Sequence, residues 1–179
     1  LIIEKNMMKI FELDKQVKTD WFWSIIEEIK DEEHPEKALK VELEKLSLKE
    51  LLDFQQHFDT FHRNAYFWNL WGAARIINKY CSDDGFDYFC SALISLGRSA
   101  YENAITDPES LAEIELPKLL SNELFSYVAS RVYEEKTGVE MPRKASTSTN
   151  GPIYPNWDIN NDKECAVRLP KLWKKHRTK

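Results

Sequence analysis

The chain has 179 residues, of which 42% are hydrophobic and 31% charged, so it fits one domain of ordinary size and wholesale disorder is excluded. With only 5 Gly and 7 Pro, an all-β fold of many short strands and tight turns is disfavoured. The formal net charge of −5 argues against a general nucleic-acid-binding protein, because such proteins neutralise phosphates with a basic surface.

The sequence contains no segment that predicts a membrane span or a secretory signal. No apolar run approaches the roughly 20 residues that cross a bilayer, and the first residues lack a basic stretch followed by a long apolar core. The 3 cysteines are an odd number and form no C-x-x-C pair, which is typical of free thiols in a reducing compartment. We therefore expect a cytoplasmic protein.

Three helices are predicted in the first third of the chain. The first covers Asp20–Glu33, begins at Asp20 as a capping residue and has apolar residues at helical spacing. The second covers Glu36–Leu46. The third begins at the capping box formed by Ser47 and Glu50.

The middle of the chain predicts the central helix of the fold. Residues Ala65–Tyr80 are apolar on nearly all sides, so we expect Trp71 and Ile76 to be almost fully buried. The polar stretch Ser82–Gly85 supplies capping oxygens for a following helix, whose apolar side continues past Gly97 to Ala104.

The last predicted helices precede an irregular region. Asp107 before a proline begins a short helix, and a longer one covers Ser121–Gly138. Residues 142–157 are rich in Pro, Ser and Thr, but Ile153, Tyr154 and Trp157 suggest that the second half packs back on the helices. A short element is predicted near Asp162–Leu169.

These elements predict an all-α fold: a single compact domain of six or seven helices with an irregular C-terminal extension. The predicted divisions are an N-terminal extension (1–18), a helical domain (19–138) and a C-terminal extension with a basic end (139–179).

Several segments resemble a bacterial family, domain of unknown function 4240. They are DWFW (20–23), YFWNLWGAA (66–74), CSDDGFDYF (81–89), the Gly97–Arg98 pair and DPESL (107–111), and the resemblance covers residues 20–135. It implies an all-α, soluble, bacterial protein and supplies no activity. The family usually has Arg where this chain has Cys90, so any family site that needs that Arg is in doubt here.

The acidic cluster of Asp83, Asp84 and Asp87 is the strongest candidate for chemistry. Neighbouring carboxylates bind hard cations or act as acid and base. The alternative, which we favour, is a helix N-terminus in which Asp83 or Asp84 caps free N–H groups and offsets the helix dipole. The cluster lacks the spacing of an EF-hand loop.

Arg75 and Arg98 lie on otherwise apolar helices and need carboxylate partners if they are buried. Arg98 lies about 21 Å from Asp84 along a continuous helix, so its partner must come from elsewhere, such as Glu102. The alternative is an anion-recognising site walled by aromatic residues. Those residues are Tyr66, Trp68, Trp71 and Tyr101.

The histidines and cysteines predict neither a metal site nor a nucleophile. His57 and His62 lie about 140° apart on one helix, which makes them poor joint ligands, whereas Asp53 and His57 are placed to pair. Cys90 falls at a core position, where a thiol is usually unreactive. We predict no metal and no cofactor.

The leading hypothesis for function is a non-enzymatic protein–protein interaction module, immunity-like or regulatory, with a protein partner. The alternative is a small enzyme or an anion- or nucleotide-binding protein. A third possibility is an RNA-associated role through the basic end, residues 171–179, although a solvated tail is the commoner case. Oligomeric state stays open. The candidate binding residues are Trp68, Asp83, Asp84, Asp87, Arg98 and Tyr101.

Overall fold

The computed structural model describes residues 2–142 and 157–177, with side chains from residue 16 onward. It confirms the all-α prediction: this described part contains nine α-helices, two 3-10 turns and no strand, where the sequence predicted six or seven helices. The helices are α1 Ile2–Ile29, α2 Pro35–Glu44, α3 Leu48–Asn64, α4 Trp68–Ile77, α5 Asp83–Ser95, α6 Arg98–Thr106, α7 Val128–Thr137, α8 Asp162–Arg168 and α9 Pro170–His176. The first 3-10 turn is Pro108–Ala112 and the second is Leu124–Tyr127.

Local capping chemistry sets several of these boundaries. The predicted capping box is confirmed at α3, where the Ser47 hydroxyl accepts from the Glu50 N–H and the Glu50 carboxylate accepts from the Ser47 N–H. Asp107 caps the first 3-10 turn by accepting from the N–H of Glu109. Gly138, with φ at 73°, takes the left-handed conformation that ends α7.

Two predicted helix boundaries are wrong. Helix α1 begins at Ile2, so Asp20 lies inside a helix and does not cap one. The helix predicted to run from Ser82 through Gly97 is two helices, because Gly97 has a φ of 96° and breaks it. This φ is one that residues with a Cβ rarely adopt, and a Cβ at Gly97 would also lie 2.7 Å from a Glu27 carboxylate oxygen, so the crossing favours glycine.

Two other predicted helices are shorter in the structure. Helix α4 covers ten residues, and Tyr80 lies beyond its end and is exposed. In the Ser121–Gly138 segment, the chain first forms the second 3-10 turn, and α7 begins only at Val128. The Asn122 carboxamide oxygen accepts from the N–H of Phe125 there, which favours the tight turn over an α-helical start.

Helix α4 lies at the centre of the core. The predicted burial of Trp71 and Ile76 is confirmed, with exposed fractions of 8% and 0%. The Trp71 ring stacks on that of Phe86 at 5.0 Å, which ties α4 to α5. A second aromatic cluster, made of Phe22, Trp23, Phe54, Phe61 and Tyr101, joins α1, α3 and α6.

The C-terminal helices cover one face of α4. Trp157 is buried, and its ring lies where a Cβ on Gly72 would come within 2.4 Å. The Trp157 indole N–H donates to the side chain of Asn69. The predictions for Ile153 and Tyr154 fall outside the described residues.

The basic end is not a free solvated tail as far as residue 177. The Lys175 ammonium donates to the carbonyl oxygens of Ala112 and Ile114, and the Arg177 guanidinium donates to that of Lys79. These cations therefore satisfy carbonyl groups at the ends of neighbouring elements. No helix among the described residues is long and apolar enough to cross a membrane.

Candidate functional site

The six sequence-predicted binding residues lie on separate parts of the molecule. Asp83 and Asp84 are exposed in the first turn of α5, and Asp87 follows one turn later. Ser82 caps α5 by accepting from the N–H of Gly85 at 3.2 Å, so the prediction that an aspartate is the cap is wrong. The aspartates thus retain carboxylate oxygens for other contacts.

Arg98 is held by carboxylates and does not approach the aspartate cluster. Its guanidinium contacts Asp20 and Glu102, each at 2.6 Å, and its backbone N–H donates to Glu27 at 2.8 Å. The hydrogen bond from Arg98 lowers the pKa of Asp20. The expectation that carboxylates hold Arg98 is confirmed, with Asp20 as a partner that the sequence did not indicate.

Arg75 is also paired away from the cluster. Its guanidinium lies 3.7 Å from the carboxylate of Asp162 on α8 and donates to the carbonyl of Lys79. The structure therefore brings neither arginine to Asp83, Asp84 and Asp87, and the predicted anion-recognising site is not assembled by the described residues.

Tyr101 and Trp68 are parts of aromatic packing. Tyr101 is 3% exposed, its hydroxyl donates to the carbonyl of Phe61 at 2.7 Å, and burial raises its pKa. Trp68 is half-buried and stacks on Trp71 with ring centroids 5.5 Å apart. Trp68 is thus the outer member of a stack whose inner members belong to the core.

The three cysteines are free and buried. Burial raises the pKa of Cys81 to about 12 and that of Cys90 well above its usual range. A thiol held protonated is a poor nucleophile. This environment agrees with the core role predicted for Cys90.

The histidines contact backbone carbonyls. His57 Nδ1 lies 2.8 Å from the carbonyl of Asp53, whose carboxylate pairs with Lys49, so the predicted Asp53–His57 ion pair is wrong. His62 Nε2 lies 3.1 Å from the carbonyl of Asp87. No group of three or more His, Cys, Asp or Glu in the described ranges could hold a metal ion.

Asp84 and Asp87 line a groove of about 490 Å³, which we call the acidic groove. Helices α3 and α5 form two of its walls, and the second 3-10 turn with the start of α7 forms a third. The His62 contact with the Asp87 carbonyl joins the first two walls. Its principal side chains are Asp59, His62 and Arg63 from α3, Asp84, Asp87 and Tyr88 from α5, and Tyr127 with Met141.

The acidic groove carries unbalanced negative charge. The Asp59 carboxylate accepts from the amide of Gln55 at 2.8 Å, and neither it nor Asp84 nor Asp87 forms an ion pair with a described residue. Arg63 contacts a neighbouring hydroxyl instead. The groove thus presents three carboxylates against one guanidinium and one imidazole.

Asp87 lies in an unfavourable environment for its charge. Partial desolvation by the groove walls raises its pKa, and the nearby Asp84 and Asp83 raise it further, whereas His62 opposes the shift. An approaching cation therefore stabilises the ionised form of this carboxylate more than it would stabilise an isolated carboxylate on an open surface.

Sequence reasoning found Asp84 and Asp87 but missed Asp59, Tyr88 and Tyr127. Asp59 lies on another helix, and only the packing of α3 on α5 brings it to the groove. His62 was considered only as a metal ligand, and no local pattern indicates that its ring faces α5.

Comparison with known proteins gives one match. A family model described as "Protein of unknown function (DUF4240)" matches residues 17–135. No curated protein and no solved structure matches the chain. The matched range includes α2 to α6, most of α7 and the three groove aspartates, and it ends before α8 and α9. The chain therefore belongs to the family of proteins of unknown function DUF4240.

Proposed function

We propose that this chain is a protein–protein interaction module whose acidic groove binds a basic segment of another protein. The observation that carries the proposal is the groove itself, with the carboxylates of Asp59, Asp84 and Asp87 at its surface and without ion pairs to described residues. Lys and Arg side chains are the natural complement of such a surface.

The aromatic residues of the groove support a peptide ligand over a bare metal ion. Tyr88 and Tyr127 line the same groove as the carboxylates. Arginine stacks on aromatic rings while its guanidinium donates to carboxylates, so both kinds of contact serve one side chain. Arg131 lies over the Tyr127 ring at 5.9 Å, so Tyr127 already makes one cation–π contact, and a partner arginine stacks on Tyr88 or replaces Arg131 there.

The alternative function, a small enzyme or an anion-binding protein, has less support. That hypothesis needs Arg98 beside the aspartate cluster, and Arg98 is paired with Asp20 and Glu102. The buried thiols fit a reducing cytoplasm, which we infer as the location.

The test is the binding of a fluorescein-labelled synthetic peptide of alternating Arg and Ala to the full chain, followed by fluorescence anisotropy. We expect binding that weakens as salt increases, because exposed ion pairs are screened. The double variant Asp84→Asn, Asp87→Asn loses two such pairs at about 0.7 kcal/mol each, so its Kd rises about tenfold.

A matched control removes two acids from outside the groove. The double variant Glu28→Gln, Glu115→Gln has the same net charge, and both positions are exposed. Equal losses in the two variants mean that the peptide responds only to net charge, and no binding to the unmodified chain refutes the proposal.

A further inference from the structure

A second groove of about 480 Å³ lies beside the acidic groove, and half of the residues that line it are apolar. We call it the apolar groove. The C-terminal end of α5, the start of α2 and the loop between Pro117 and Leu124 form its walls. The residues that define its apolar surface are Pro35, Leu96, Pro117, Leu119, Leu120 and Leu124.

Two leucines of this groove are exposed although their loop is firmly held. Leu119 is 60% exposed and Leu124 is 47% exposed. Between them, Leu120 is buried and exchanges two hydrogen bonds of 2.9 Å with the Asn78 side chain, and the Asn122 N–H donates to the carbonyl of Tyr88. The loop therefore presents its leucines in a fixed arrangement, which lowers the entropy cost of binding.

The edge of the apolar groove is acidic. Glu32 and Glu33 line it without an ion pair to a described residue, and Glu36 lies beside them. The one lysine at this edge, Lys30, is paired with Glu27 at 2.6 Å. An apolar surface with this border complements a helix that carries leucine-like side chains flanked by basic ones.

The two grooves adjoin along α5. Asp84 and Tyr88 line the acidic groove, and Ala92 with Leu96, the residue that follows the helix, lines the apolar groove. Leu96 is separated from Asp87 by about 13 Å and from Asp84 by about 18 Å along the helix axis. The second 3-10 turn crosses between the grooves, with Leu124 on one side and Tyr127 on the other.

We propose that both grooves bind a single amphipathic helix of the partner protein, with basic residues in the acidic groove and large apolar residues in the apolar groove. This inference rests on the proposed function and names the class of partner. Separations of about 13–18 Å correspond to about nine to twelve residues of a partner helix. Within that range, a spacing of about eleven residues keeps both groups on one face of the helix, so the basic and apolar groups are about eleven residues apart in the partner sequence.

The test uses the full chain and labelled helical peptides built on an Ala-Gln background. The first peptide has only the basic cluster. The second adds two leucines centred eleven residues from the cluster, on the same helix face and made in both orders along the chain, and the third places the same leucines four residues away. We expect one order of the second peptide to bind at least tenfold more tightly than the first, and the third to show no gain.

Variants of the exposed leucines assign the gain to the apolar groove. Leu119→Glu and Leu124→Glu abolish the tenfold gain of the second peptide and leave the Kd of the first within about twofold. Val167→Glu is the matched control, because Val167 is 80% exposed on α8 and lies outside both grooves. Because all three side chains are exposed, the melting temperatures of the variants stay close together.

The outcomes separate this inference from the proposed function. If the first peptide binds and neither order of the second binds more tightly, the helix inference is refuted while the acidic-groove proposal stands. If no peptide binds, both are refuted. Sedimentation of the chain without peptide measures its oligomeric state. If the chain forms a dimer and Leu124→Glu dissociates it, a second copy of the chain occupies the apolar groove and the inference is overturned.

Discussion

The replacement of Glu109 by alanine tests how the C-terminal helices are attached to the family domain. Glu109 is 8% exposed, and its two carboxylate oxygens accept from the backbone N–H groups of Lys171 at 2.8 Å and Leu172 at 3.0 Å. These N–H groups belong to the first turn of α9, which has no side-chain cap of its own. Glu109 therefore caps α9 from a distant part of the chain.

The size of the effect follows from those two bonds. A net hydrogen bond to a charged group contributes about 1.5 kcal/mol at the low end of its range, so Glu109→Ala costs about 3 kcal/mol. For a chain of this length, that loss lowers the melting temperature by about 6–12 °C. Glu109→Gln keeps one acceptor oxygen, so about half of that decrease is expected for it.

Thermal unfolding followed by tryptophan fluorescence measures the decrease, since Trp157 and Trp173 lie in the C-terminal region. The matched control is Glu113→Ala, because Glu113 contacts Lys171 only through an exposed ion pair, which is worth at most about 1 kcal/mol. If Glu109→Ala melts at the same temperature as Glu113→Ala, the capping argument is refuted.

Three further variants are checked by the same thermal measurement. Gly72→Ala pushes a Cβ into Trp157 and costs about 1–3 kcal/mol, whereas Gly85→Ala, whose Cβ comes no nearer than 3.3 Å to the Ser82 hydroxyl and 3.8 Å to the Cys81 sulfur, leaves stability almost unchanged. Trp71→Ala removes a buried ring from α4 and costs about 3–5 kcal/mol. Arg98→Ala loses two partly exposed ion pairs and costs about 1 kcal/mol, with no change in binding of the basic peptide; a larger loss of peptide affinity than of stability contradicts the structural role of Arg98.

The predicted parts of the fold are those with local chemical signals. The capping box at Ser47 and the burial pattern of α4 were both read from nearby residues and are confirmed. The sequence indicated only that Gly97 allows a close crossing or a kink, because the apolar spacing continues across it: α5 and α6 both face the same core. Gly97 breaks the helix through its positive φ. Glu27, about seventy residues away in the chain, then accepts from the Arg98 N–H at the start of α6, a contact that periodicity does not encode.

In the candidate site, too, the sequence predicted the residues that are close in the chain and missed those that packing brings together. Sequence reasoning identified Asp84 and Asp87 because they cluster on one helix, but their neighbour Asp59 comes from α3. It also named Glu102 as a partner of Arg98, which is confirmed, but gave no sign of the second partner, Asp20 on α1. The packing of the helices decides which charged side chains form ion pairs. A cluster of acidic residues in the sequence therefore predicts a negatively charged surface but not the ion pairs formed there.

Asp87 offers a test that separates a binding carboxylate from a stabilising one. Its side chain shares the acidic groove with Asp59, Asp84, His62 and Arg63, and desolvation there raises its pKa above the usual 3.8. Between the unfolded pKa and this raised pKa, the folded state binds more protons than the unfolded state, so its stability falls as pH rises through that window.

Replacement of Asp87 by asparagine removes this penalty. We expect the melting temperature of Asp87→Asn to exceed that of the unmodified chain at pH 7, and the difference to shrink as pH falls below about 4, where the aspartate is protonated in both states. The same variant binds the basic peptide more weakly at pH 7, because the groove has lost a carboxylate. Thermal scans from pH 3.5 to 7 and anisotropy at pH 7 measure both effects. A variant that is less stable at pH 7 and binds the peptide unchanged would make Asp87 a structural residue, and the proposal for the acidic groove would fail.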